Sequence, residues 1–225
     1  MKKAKRVLTL VTAAYVILSM PVMIVFTKSE YVRFITIQMV TNWKGKINGL
    51  SDAYIGDSIT AGGRNWSAPL DAINLAGDGY TTWQIEGQIG KAKKYDPENL
   101  LILAGTNDII GRRDFDLEQF EQDYISLLER ALETGSEIFI TQIPYTAKEG
   151  NIQTISDANK VIRRLAEARN LTTIDLNSEI APDGILLPEF TTDGVHLSES
   201  AYSIWREKIL DAKNQKAEQD SGGNG

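Results

Sequence analysis

The chain has no cysteine and a single histidine, His196, among its 225 residues. The first absence excludes disulfides, thiolate nucleophiles and cysteine-based zinc sites. It also fits a protein exported to an oxidising compartment, without proving export. The second excludes any metal site built on a histidine cluster, so any chemistry that needs an imidazole must use His196. Basic charge is scarce where a nucleic-acid binder would need it. Lys2, Lys3, Lys5 and Arg6 are the only charges in residues 1–27, which leaves 20 basic against 30 acidic residues in the rest, a net of −10. A domain of that sign offers few of the clustered cations that phosphate contacts require. At 42% hydrophobic, the chain can fill one domain with a small appendage.

What is present begins with an uncharged run, Val7 to Thr27. At the helical rise it spans roughly 30 Å, about one hydrocarbon core. Pro21 costs such a helix one kink. The run is long for a signal-peptide core, and Met23-Ile24-Val25-Phe26 offers no small-x-small cleavage site. Residues 1–27 therefore read as an uncleaved signal anchor, a transmembrane helix. The basic residues before it put the N-terminus inside and the rest of the chain outside the cytoplasm. Residues 28–51 form a juxtamembrane linker that is unusually apolar, with Tyr31, Phe34, Ile35, Ile37, Met39 and Val40. The folded domain is expected over 52–213 and a disordered polar tail over 214–225.

Within the domain, apolar strands alternate with amphipathic helices. Strands are expected at Ala53–Ile55, Ala72–Leu75, Leu100–Ala104, Glu137–Ile143 and Leu171–Leu176. Ile85, Ile89 and Ala92 share one helical face. A second helix opens with Asp116 and Gln119 in capping-box spacing, carries Phe120, Tyr124, Leu127, Leu128 and Ala131, and stops at Gly135. A third carries Ile155, Ala158, Ile162 and Leu165 and ends near Asn170. Ser198 is expected to cap a last helix bearing Tyr202, Trp205 and Ile209. Such alternation argues an α/β fold with a parallel sheet covered on both faces.

In sheets of this kind ligands bind at the carboxyl ends of the strands. Ser58 follows the first strand, Gly77-Asp78-Gly79 the second, Gly105-Thr106-Asn107-Asp108 the third, and Asp193-Gly194-Val195-His196 lies beyond the fifth. Together they can perform acyl transfer. Ser58 would be the nucleophile, placed at a turn into a helix whose dipole favours a developing alkoxide, and His196 its general base and acid. Asp193, one tight turn before His196, can reach the imidazole and hold its tautomer. Oxyanion donors would be the Ser58 N–H, the Gly79 N–H and the Asn107 amide. Asp108 reads as a brace for its loop.

The blocks Gly56-Asp57-Ser58-Ile59-Thr60, Asn74-Leu75-Ala76-Gly77-Asp78-Gly79, Gly105-Thr106-Asn107-Asp108 and Asp193-Gly194-Val195-His196 resemble, in order and spacing, the four signatures of the SGNH, or GDSL-type, hydrolase family. Ile59 stands where the family often has leucine. The resemblance covers about residues 52–212. It implies a three-layer flavodoxin-like sandwich on a five-stranded parallel sheet, and maps the family's serine, glycine, asparagine and histidine onto Ser58, Gly79, Asn107 and His196. It further implies an esterase without metal or cofactor, acting on a small acyl ester or an acetylated glycan. Position outside the membrane favours O-acetyl esters of envelope or exported carbohydrate. Acyl transfer to a glycan hydroxyl, lysophospholipase or thioesterase activity, and a non-catalytic glycan-binding module are the alternatives. Trp66, Tyr80, Trp83 and Tyr145 could form a sugar platform or simply pack at the rim. Tyr145, just past the fourth strand at Gln142-Ile143-Pro144-Tyr145, is expected to shape substrate choice with Arg64, Trp66 and Tyr80.

Overall fold

The computed structural model describes residues 50–63, 72–110 and 114–222. Five strands form one parallel sheet: β1 (Leu50–Gly56), β2 (Ala72–Asn74), β3 (Pro97–Leu103), β4 (Glu137–Thr141) and β5 (Thr172–Ile174), in the order β2-β1-β3-β4-β5. The strands lie where the apolar runs predict. Because side chains alternate across a pleated sheet, each central strand feeds two cores. Ala53, Ile55, Leu100, Ile102, Ile138 and Ile140 are buried on one face, and Tyr54, Leu101, Leu103 and Phe139 on the other.

The first face is covered by α2 (Thr82–Ala92), α4 (Leu117–Leu132) and α5 (Ile152–Glu167), through the stripes that their periodicity marks. The second is covered by α7 (Glu199–Gly222), whose Ala201, Trp205 and Ile209 are buried, with short helices α1 (Ser58–Gly62) and α6 (Asn177–Ile180) beside it. The remaining one-turn helix is α3 (Thr106–Ile109). The result is a three-layer α/β/α sandwich. Gly135 and Asn170, both at positive φ, follow α4 and α5 where the sequence places their ends.

Three expectations need adjustment. β1 begins at Leu50, so the strand takes in the last two residues assigned to the linker. The polar stretch from Asn214 is not disordered from its start, because α7 continues through it to Gly222. Ion pairs hold it there: Lys213 to Asp52 at 2.6 Å, Lys216 to Glu137 at 3.7 Å and to Asp220 at 3.1 Å. Asp116 caps α4 by accepting from the N–H groups of Glu118 and Gln119, but the Gln119 side chain turns to Asp123 and no reciprocal box forms. The box-type contact occurs instead at α2, where Gln84 Oε1 accepts the Thr81 N–H at 3.0 Å. The proposed anchor at 1–27 and nearly all of the linker lie outside the described residues. No helix among those described is long and apolar enough to cross a membrane.

Candidate active site

β1 stops at Gly56. Asp57 caps the turn that follows, its Oδ1 accepting the Ile59 N–H at 2.9 Å, and Ser58 opens α1. This helix has only five residues, so its dipole is a smaller influence on Ser58 than the sequence suggests. Neighbouring strand ends are tied to the turn. The Gly77 N–H donates to Gly56 O at 3.0 Å, and Asn74 Nδ2 to Thr60 O at 2.7 Å.

His196 arrives from the far end of the chain. Its Nε2 lies 3.0 Å from Ser58 Oγ, and its Nδ1 lies 2.6 Å from Asp193 Oδ2. The other Asp193 oxygen accepts the N–H groups of Val195 and His196 at 2.9 and 2.8 Å. The contact with the imidazole, and then these two N–H groups, pull the Asp193 carboxyl down to about 2. An ionised Asp193 selects the tautomer with its proton on Nδ1, leaving the Nε2 lone pair toward Ser58. The loop is stiffened from within and from outside: Thr191 Oγ1 donates to His196 O at 2.8 Å, and the Ala147 N–H to Gly194 O at 2.8 Å.

Asn107 bonds to Tyr80, the residue after Gly79. Asn107 Nδ2 donates to Tyr80 O at 3.0 Å, and Asp108 Oδ2 accepts both the N–H and the hydroxyl of Thr82, at 2.9 and 3.0 Å. Asp108 is thus a brace, as expected. Gly79 has φ +74°, and a Cβ built there meets nothing within 4 Å. Its glycine is required by the left-handed backbone rather than by crowding.

Several residues that hold the site escaped sequence reasoning. Gln88 Oε1 accepts the Gly56 N–H at 2.9 Å while its Nε2 donates to Gly56 O at 3.1 Å, a two-way clamp two residues before Ser58. The signal was a lone amide on the apolar stripe between Ile85 and Ala92. Tyr202 Oη donates to Ile59 O at 2.7 Å and ties α7 to α1. Asp57 is fully buried, and burial pushes its carboxyl up to about 6. The Thr106 hydroxyl is close enough to oppose that shift in part, yet Asp57 Oδ2 and Thr106 Oγ1 both lack a partner of hydrogen-bond geometry among the described residues.

The expected substrate residues divide. Tyr80 is at the site, next to Asn107. Tyr145 lines a cavity of about 230 Å³ with Gln142, Arg163 and Asn177, and Ser58 is not among its lining residues. A pair of asparagines fixes the backbone there. The Ile143 N–H donates to Asn159 Oδ1 at 2.8 Å, and the Tyr145 N–H to Asn177 Oδ1 at 2.9 Å. Arg64 and Trp66 lie outside the described residues. Among those described, no cluster of three or more His, Asp or Glu could hold a metal.

A family model, the GDSL-like Lipase/Acylhydrolase family, matches residues 54–204. The chain belongs to this family. It is a GDSL-type hydrolase, an enzyme of the carboxylic ester hydrolase class. The fold is shared with solved structures at low identity. A GDSL-like lipase from Bacteroides thetaiotaomicron is 19% identical, with TM-score 0.68 over 83% of this chain and 100% of that one. A lipase/acylhydrolase from Enterococcus faecalis is 22% identical, with TM-score 0.60 over 75% and 96%. A catalytic mutant of an acetylxylan esterase from Geobacillus stearothermophilus is 18% identical, with TM-score 0.60 over 74% and 95%. No curated protein matches this GDSL-type hydrolase significantly.

Proposed function

We propose that the protein is a membrane-anchored, extracytoplasmic serine esterase that removes O-acetyl groups from envelope or exported carbohydrate. The observation that carries the chemistry is the hydrogen-bonded chain Ser58 Oγ, His196 Nε2, His196 Nδ1, Asp193 Oδ2. His196 takes the Ser58 proton as Oγ attacks the ester carbonyl. The oxyanion is received by the N–H groups of Ser58 and Gly79 and the Asn107 amide. His196 then protonates the departing sugar oxygen, leaving an acetyl-Ser58 ester. Water, deprotonated by the same imidazole, attacks that ester and releases acetate. Asp193 stays ionised and holds the imidazolium.

The carbohydrate reading draws on two supports. The uncharged run Val7–Thr27 behind four cations favours a domain outside the cytoplasm, where glycan esters are abundant. Two of the structures that share the fold are described as acetylxylan esterases. The test is a fluorophosphonate probe together with p-nitrophenyl acetate. The wild-type chain should label and turn over, and Ser58→Ala should do neither while keeping its melting temperature. Near-wild-type turnover by Ser58→Ala would exclude the acyl-enzyme route.

A further inference from the structure

A cavity of about 440 Å³ opens between α2 and α4, lined by Tyr80, Trp83, Glu86, Gly87, Lys91 and Arg130 among others; Ser58 is not among its lining residues, and Tyr80, which follows Gly79, is its link to the site. We infer that it is a subsite for an extended pyranose chain, the leaving group whose ester Ser58 attacks. This rests on the carbohydrate esterase reading above and deepens it.

Three observations carry the inference. Trp83 is 71% exposed, the most open large apolar side chain among the described residues. One exposed indole is ordinary by itself. Here, however, the helix face beside it has been emptied. Gly87 and Gly90 follow Trp83 by four and seven residues, on the same face of α2. Neither has positive φ, and a Cβ built at either meets nothing within 4 Å. Glycine is the poorest ordinary helix former, and neither backbone nor packing asks for it at these positions. What it provides is open space alongside the indole.

The second observation is the chemistry of the walls. Glu86 is held on both oxygens, by Arg130 Nε at 3.4 Å and by Ser126 Oγ at 3.1 Å. That fixes a planar carboxylate and a planar guanidinium on one wall, with Lys91 beyond. Fixed planar donors and acceptors next to a flat apolar ring suit a pyranose, which presents C–H groups on its face and hydroxyls at its edge. A long acyl chain would need a closed apolar channel, and this groove is open, with Glu86, Lys91 and Arg130 along its wall.

The third is continuity with the reacting centre. Tyr80 opens the groove, directly follows Gly79, and accepts from Asn107 through its carbonyl. Gln88, another lining residue, clamps Gly56 two residues before Ser58.

The experiment compares acetylated monosaccharides with acetylated hexasaccharides of the xylan and chitin type, and with p-nitrophenyl acetate. It uses the full chain, Trp83→Ala and Gly87→Leu. Wild type should prefer at least one hexamer over its monomer. Both variants should lose that preference about tenfold, mainly through KM, which is the scale of removing one buried ring contact. Hydrolysis of p-nitrophenyl acetate should change by less than about twofold on the same scale. Gly87→Leu should melt no lower than wild type, since the new side chain enters open space and suits a helix better. Wild type with no preference for either hexamer would overturn the subsite, as would equal loss on all substrates in both variants. If no ester is hydrolysed at all, the esterase reading fails. The groove is then judged by calorimetry of deacetylated hexamers with Ser58→Ala: binding that Gly87→Leu abolishes supports it, and no binding overturns it.

Discussion

At the scale of single residues, Asp193 and Asn107 separate orientation from charge stabilisation. Asp193→Asn keeps an oxygen for the N–H groups of Val195 and His196 but no longer favours the proton on Nδ1. It should lower kcat by a factor on the order of 10⁴, with KM little changed. Asn107→Ala should cost about 10²–10³ in kcat, the loss of one oxyanion donor. A large KM rise at constant kcat would make Asn107 a ground-state binder instead. Asp57 yields a prediction on stability. Its folded value of about 6 lies above the ordinary 3.8, so the folded state holds its proton where the unfolded state has lost it. Stability therefore falls as pH rises from about 4 to 6, by up to about 3 kcal/mol, and stays lower above that. Asp57→Asn keeps the cap on Ile59 and removes the titration. Melting curves across this range should be flatter for Asp57→Asn; an unchanged slope would assign the pH dependence elsewhere.

At the scale of elements, α2 does two things. It grips Gly56 through Gln88, and with Trp83 and Gly87 it lines the groove. Gln88→Ala would leave the buried Gly56 N–H unpaired, while Gly56 O keeps the Gly77 N–H, a loss of about 1–3 kcal/mol on melting or denaturant curves. Because the freed backbone leads straight to Ser58, kcat should fall more than KM rises. Unchanged stability would show that the clamp is dispensable. The helices themselves were legible from the chain, because their buried stripes repeat at the helical period and their ends carry Asp116, Gly135 and Asn170. The clamp was not. Gln88 lies 32 residues from its partner, and no periodicity says which backbone group a buried amide will meet. The surroundings of Tyr145 were not legible for the same kind of reason. Its place after β4 was foreseen, but Asn177, which accepts its N–H, and Asn159, which accepts that of Ile143, come from two other elements.

At the scale of the whole molecule, the anchor reading makes a direct prediction. The full-length protein should stay with membranes through alkaline carbonate extraction, and protease added to intact cells should remove its hydrolase domain. Recovery of a shortened chain in the soluble exported fraction would instead show cleavage after the apolar run. By itself, the sequence determined the class of the fold and named Ser58, Asp193, His196, Gly79 and Asn107 as candidates at one sheet edge. Those follow from hydrophobic period, chain order and the residue types the chemistry needs, all of which are local or carried by short motifs. Only the tertiary structure decided that Ser58 and His196, 138 residues apart, come within 3.0 Å, that Asp57 is sealed from water, and that Trp83 faces an open groove. Distance, burial and exposure are properties of how layers pack, and a side chain's surroundings exist only once the elements on either side of it have met.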